Sequence, residues 1–143
     1  MLVTNHVLSG ALLAAAGPLA RRPVAAFAVG VASHFVLDRT PHWGDDEIFL
    51  RVAVADGLTG LAAMAAMTAL APPRSRPAVV AAMAGAAFPD LDKPSLLFFG
   101  RSPFPAAVDE FHKRLQRESP RRLPQEFVVA ATVAAVATRL LRR

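Results

Sequence analysis

Seven residues of kinds that ligate divalent metal ions fall at the ends or openings of successive apolar runs: His6, His34, Asp38, His42, Asp56, Asp90 and Asp92. His34 and Asp38 stand four residues apart, so on a helix they project from one face about one turn apart. His42 follows Pro41, which ends such a helix and lets the imidazole fold back towards the pair. Asp90 and Asp92 flank Leu91 between Pro89 and Pro94, a rigid turn that can present both carboxylates together. Asp56 sits inside an apolar run, where an unpaired charge is costly, and Gly57 follows it. Imidazole and carboxylate without thiolate suit zinc, and also manganese or iron. The chain has no cysteine, which removes disulfides, thiolate metal sites and thiol catalysis. Several carboxylates beside several histidines suit one to three ions, because an aspartate can bridge two.

The elements that must position these groups are helices. The chain is 54% hydrophobic, and five apolar runs dominate it: residues 7–20, 24–37, 48–71, 78–88 and 127–141. Ala, Leu and Met fill them, and apolar and polar residues do not alternate, so strands are not expected. The expectation is an all-α fold, an antiparallel bundle of about five apolar transmembrane helices forming one domain over residues 1–143. Several runs fall short of the ~20 residues that span a bilayer. Flanking residues lengthen stretches such as 2–20 and 23–41 enough to cross; a soluble all-α core is the alternative. Trp43, just beyond the second run, stands where an interfacial anchor belongs. In an antiparallel bundle, helix starts and ends alternate between two faces. His6 is near the start of the first helix, and His34, Asp38 and His42 are at the end of the second. Asp56 is in the opening part of the third, and Asp90 and Asp92 follow the fourth. All seven therefore belong to one end.

Charge divides along the same axis. The opposite end carries Arg21, Arg22, Arg74, Arg76, Arg139, Arg142 and Arg143 and no acid, whereas all eleven Asp and Glu belong to the ligand-bearing end. The positive-inside rule then places the C-terminus in the cytoplasm and the ligand-bearing end outside, in a bacterial-type inner membrane. The N-terminus lacks a basic region before its apolar stretch, so no cleavable signal is expected. The net charge of +5 does not imply nucleic acid: the basic residues are spread over turns and tails without interleaved aromatics, and anionic lipid headgroups account for them. Within 101–126, Phe104, Val108, Phe111 and Leu115 recur at helical spacing, which predicts an amphipathic helix lying on the membrane over the ligand-bearing end. His112 falls off that apolar stripe and is expected to be solvated.

The segment His34-Phe-Val-Leu-Asp38-Arg-Thr-Pro-His42 resembles the HxxxD…H element of the zinc-dependent phospholipase C and single-strand nuclease superfamily. Thr4-Asn5-His6-Val7-Leu8-Ser9-Gly10 and Phe88-Pro89-Asp90-Leu91-Asp92 resemble the N-terminal His and PDxD signatures of its small relatives, the bacterial membrane-bound metal-dependent hydrolases. The resemblance covers most of residues 4–112 as an ordered set of short motifs. It implies an all-α bundle with metals at one end and metal-assisted phosphoester hydrolysis. His6, His34, Asp38, His42, Asp90 and Asp92 would be metal ligands. A second HxxxD element is missing, and Lys93 stands where many relatives have histidine.

On the chemistry that the resemblance implies, metal-activated water would attack phosphorus, with Asp56 or Asp90 orienting it as the catalytic base and Arg39 and Lys93 binding the substrate phosphate. The partners expected are membrane lipids and a phospholipid or lipid-linked phosphate substrate. The competing reading is a non-catalytic membrane protein whose metal or polar cluster stabilises the bundle or docks a partner.

Overall fold

Proline and glycine set most of the helix boundaries. The structure, a computed structural model, describes residues 1–45 and 48–143; Asp46 and Glu47, two of the acids assigned to the ligand-bearing end, lie outside the described residues. Helix α1 (Val3–Ala15) stops before Gly17, whose φ of 134° is one that L side chains rarely adopt. α2 (Pro23–Asp38) opens on a proline, whose missing N–H is one of those a helix start leaves unpaired anyway. α3 (Phe49–Leu70) runs up to Pro72-Pro73. α4 (Arg76–Ala87) carries Pro77 in its first turn and passes into a single 3-10 turn, Phe88–Leu91. α5 (Asp92–Phe99) ends on Gly100 in the left-handed region, and α6 (Ala106–Leu115) follows. A second 3-10 turn, Pro120–Arg122, leads into α7 (Leu123–Leu141).

Three details differ from the sequence expectation. α1 begins at Val3 rather than at residue 7, so Asn5 and His6 lie within its first turns. α5 occupies a stretch read as a turn, with Pro94 accommodated in its first turn. A two-residue parallel ladder is present where no strand was expected: Pro41–His42 pairs with Arg117–Glu118, with His42 opposite Glu118.

α1 is central and contacts α2, α3, α4 and α7, while α4 packs against α1 and α2. The backbones approach closely at glycine. A Cβ on Gly10 would stand 2.6 Å from the carbonyl oxygen of Ala82 on α4; Gly30 of α2 faces the same carbonyl, and Gly85 of α4 faces Phe27. Such small-residue seams let helices associate by backbone contact. Val7, Leu8, Ala11, Ala14, Val79, Ala82, Met83 and Ala137 fill the core between these helices.

The largest apolar side chains point the other way. On α3, Leu58 and Leu61 are each 65% exposed, and on α7 Phe127 is 62% and Val128 66% exposed. A soluble bundle would turn such a stripe inward. Two stretches of 22 residues, Phe49–Leu70 and Pro120–Leu141, are long and apolar enough to cross a membrane; at 1.5 Å per residue a 22-residue helix reaches about 33 Å. α1 has 13 residues, α2 16 and α4 12, so each falls short of the ~20 that a spanning helix needs. Among the described residues, two helices rather than five meet the length criterion. Trp43 is also not a lipid-facing anchor: it is only 4% exposed, and its backbone N–H donates to Glu126 at 3.1 Å.

Candidate metal centre

Asp38, the last residue of α2, is the hub of a polar cluster at one end of the bundle. Its Oδ1 accepts from the Met1 ammonium at 2.9 Å and lies 3.1 Å from His6 Nε2. Its Oδ2 lies 3.0 Å from His112 Nε2 and 3.2 Å from His34 Nε2. Asp38, His6 and His34 are wholly inaccessible to solvent. A carboxylate taken so completely out of water is tolerated only with charged or hydrogen-bonding partners on both oxygens.

The orientation of His34 decides what its ring can do. Its Nδ1 is 2.8 Å from the carbonyl oxygen of Ala86 at the end of α4. A carbonyl only accepts, so Nδ1 carries the proton and Nε2 of the neutral ring offers a lone pair. That lone pair meets His112 Nε2 at 2.9 Å. Two ring nitrogens at this distance repel unless a proton or a cation lies with them. Asp90 Oδ1 completes the group, 4.0 Å from His34 Nε2 and 3.9 Å from His112 Nε2. One ligand atom each from His34, Asp38, Asp90 and His112 lie within 4.8 Å of one another, and all four residues are buried. Four converging nitrogen and oxygen atoms at this spacing are close to the shell of one ion with metal–ligand bonds of about 2.0–2.2 Å. These residues could hold a metal ion.

His112 corrects the sequence expectation. It is 4% exposed and inside the cluster rather than solvated. α6 leaves Val108 and Phe111 of its apolar stripe 41% and 49% exposed and turns the histidine inward. The buried Asp38 supplies the reason, since its outer oxygen needs a donor. The available signal was numerical: the chain has four histidines, and the other three already sat among the ligand candidates.

The remaining candidates occupy different places. His6 stacks on His34 with ring centroids 3.9 Å apart, and its Nε2 is 4.0 Å from Asp90 Oδ2; it adjoins the four-residue group without belonging to it. Asp92 Oδ2 is 3.8 Å from His112 Nδ1, while its Oδ1 accepts the Lys93 N–H at 2.7 Å. His42 stands outside the group, with Nδ1 2.8 Å from Thr40 O and Nε2 4.0 Å from Glu118 Oε1. Asp56 also stands outside it. Its two carboxylate oxygens accept the backbone N–H groups of Val3 at 2.6 Å and Thr4 at 3.2 Å. It thus caps the positive end of α1 from a neighbouring helix and fixes where His6 is presented. Lys93 Nζ lies 2.8 Å from Asp90 Oδ1, and Arg39 is exposed.

Electrostatics follow from that pairing. Burial works to raise the Asp90 pKa, but the Lys93 ammonium, with His6 and His34 adding, outweighs it and holds the carboxyl at about 2. Burial opposes the Lys93 charge, yet Asp90 more than compensates and lifts the ammonium pKa above its ordinary value. The Asp92 carboxyl is raised, chiefly by burial.

Comparison of the chain with protein-family models, with curated proteins and with solved structures returned no match. The cluster therefore has to be read from its own geometry.

Glu126 is the residue that sequence reasoning passed over. It sits in the first turn of α7 and is 1% exposed. One oxygen accepts from Leu2 N at 3.0 Å and Asn5 Nδ2 at 2.7 Å; the other accepts from Trp43 N at 3.1 Å. It ties α1, the His42–Trp43 segment and α7 together beneath the cluster. Two open surface grooves, one lined by Met64, Thr68 and Arg76 and the other by Phe99, Arg101 and Pro103, do not border the cluster residues.

Proposed function

We propose that this protein is an integral membrane, metal-dependent hydrolase that acts on a phosphoester presented by lipid, and that it is a relative of the bacterial membrane-bound metal-dependent hydrolases. The observation that carries the reading is the convergence of His34 Nε2, His112 Nε2, Asp38 Oδ2 and Asp90 Oδ1 in a buried site, with the His34 tautomer set by Ala86 O. A divalent ion held there, zinc in preference to manganese or iron, supplies a water of lowered pKa and a charge that stabilises phosphoryl oxygens. Lys93 holds Asp90 in its ionised form and provides an ammonium beside the site for an anionic oxygen. Asp92 Oδ2 lies 3.8 Å from His112 Nδ1, beyond hydrogen-bond length, and places a carboxylate on the outer side of that ring.

The membrane part of the reading is supported by the outward apolar faces of α3 and α7. In it those two helices span an inner membrane with the C-terminus cytoplasmic, and α1, α2 and α4 are embedded between them. The exposed Phe98 and Phe99 of α5 and Val108 and Phe111 of α6 then meet lipid at the level of the cluster.

Complete burial of the cluster favours a second reading, a closed structural metal site, because structural sites lack an open position. One experiment separates the two. The purified protein in lipid is assayed for metal content and for hydrolysis of phospholipid and soluble phosphodiester probes, before and after chelation. Metal-dependent turnover that His112→Ala abolishes supports the hydrolase. Stoichiometric metal with no turnover on any probe supports the structural site.

A further inference from the structure

Outside the four-residue group and away from Asp38, His42 is oriented as a ligand, and its Nε2 has no hydrogen-bond partner among the described residues. His42 is wholly buried, and its Nδ1–H donates to the carbonyl oxygen of Thr40 at 2.8 Å. That bond fixes the tautomer, so Nε2 presents a lone pair, and Nε2 makes no hydrogen bond among the described residues. The parallel ladder sets His42 directly opposite Glu118. Glu118 Oε1 lies 4.0 Å from His42 Nε2, too far for a hydrogen bond. Two ligand bonds of about 2.0–2.1 Å at a tetrahedral angle set the ligand atoms about 3.4 Å apart, a closure that the half-exposed Glu118 side chain can make by a small rotation.

We propose that His42 and Glu118 bind a second divalent cation, separate from any ion held by His34, Asp38, Asp90 and His112. The site is built at two levels. The Thr40 carbonyl orients the imidazole, the way outer partners orient metal-bound histidine. The ladder Pro41–His42 with Arg117–Glu118 fixes the spacing between the two ligands, and Ser119 N–H donates to His42 O at 2.9 Å to lock the register. Glu118 is 44% exposed at its side chain, so solvent reaches the carboxylate side and fills the rest of the coordination shell. Glu118 arrives on the segment after α6, and His42 on the segment after α2. An ion between them therefore clamps the α6 excursion onto the bundle and holds His112 in place.

The ligands are one imidazole and one carboxylate, which selects zinc or manganese over calcium. The proposal is independent of hydrolysis, since it concerns ion number and not turnover. The test is equilibrium titration of the full-length, chelator-treated protein in detergent with Zn2+, read by calorimetry and by bound metal after desalting. Wild type is expected to take up two ions. Glu118→Gln keeps the size and the partly exposed position of the side chain, and is expected to take up one, with the melting temperature of the metal-free protein unchanged. His112→Ala, by contrast, is expected to weaken the other ion. Manganese resonance spectra would show the same loss of one population in Glu118→Gln. If Glu118→Gln binds the wild-type number of ions with affinities within threefold of wild type, the second site does not exist. If Glu118→Gln is unchanged while His112→Ala loses an ion, the four-residue group stands alone.

Discussion

Replacing His112 by alanine perturbs the cluster at its outermost member, and the size of the effect can be worked from the contacts. In the metal-free protein the substitution removes a hydrogen bond to the Asp38 carboxylate at 3.0 Å. Bonds to charged groups contribute about 1.5–3 kcal/mol, and the lost imidazole leaves a void that adds to that. A metal-free destabilisation of about 2–4 kcal/mol follows. The metal-dependent part is larger in proportion. An ion present at 100 times its dissociation constant stabilises the folded state by about 2.7 kcal/mol. Loss of one ligand, at a cost of at least 100-fold in affinity, reduces this to about 0.4 kcal/mol at the same ion concentration. For a chain of this size the four-residue site therefore contributes roughly 8 °C to the zinc-induced rise in melting temperature of wild type and 1–2 °C to that of the variant, beyond what an ion at His42 and Glu118 adds to both. The assay is thermal unfolding in detergent with and without Zn2+, on wild type, His112→Ala and Glu118→Gln. Equal zinc-induced shifts in wild type and His112→Ala would refute the placement of His112 among the ligands.

Other perturbations reach other parts of the account. Asp56→Ala removes the acceptor for the Val3 and Thr4 N–H groups and should cost about 1–2 kcal/mol, as a lost helix cap does, while the metal content stays at the wild-type value; metal loss without destabilisation would return Asp56 to the ligand set. Glu126→Ala strands three buried donors and should destabilise by more than 3 kcal/mol at ~1–3 kcal/mol per unsatisfied group, with Glu126→Gln recovering part of it; chemical denaturation of the two variants checks the order. Asp90 titrates at about 2 in the fold against 3.8 ordinarily, so its ionised form stabilises the metal-free protein above pH ~4 and that contribution is lost as pH falls towards ~2. Lys93→Met removes the ammonium that holds Asp90 down, so acid unfolding measured in chelator should begin at higher pH than in wild type; superimposable acid limbs would contradict the pairing. A reporter fused after Arg143 should behave as cytoplasmic, and a periplasm-active reporter working there would reverse the orientation.

The sequence made one half of the cluster legible and hid the other. His6, His34, Asp38 and Asp90 were predictable as neighbours because helix starts and ends alternate, and an i, i+4 pair on α2 needs no tertiary information. Neither end of α1 was read: the first run extends through residue 20 although the helix stops at Ala15 before Gly17, and Asn5 and His6 break the apolar run although Asp56 and Glu126 satisfy the backbone there. His112 was hidden because the apolar stripe of α6 pointed to the opposite face. The buried charge of Asp38, not hydrophobic area, chose which side of that helix turns inward. Glu126 looked like a boundary residue before an apolar run, and only the packed fold shows the three donors that converge on it. Asp56 was read as a metal-paired acid facing Asp38 and Asp90; in the fold its carboxylate accepts the N–H groups of Val3 and Thr4 at the start of α1, a partner that local spacing does not reveal. The short apolar runs were legible as short; flanking residues were expected to lengthen stretches such as 2–20 and 23–41 to a membrane span, whereas α1, α2 and α4 have 13, 16 and 12 residues and bury small residues against one another.

The most direct measurement is the anomalous difference map at the zinc edge from crystals of the zinc-loaded protein. The account predicts a strong peak bounded by His34 Nε2, His112 Nε2, Asp38 Oδ2 and an Asp90 oxygen, with bond lengths near 2.0–2.2 Å. A map with no peak among those four atoms, or with zinc bound only at surface residues, would contradict it.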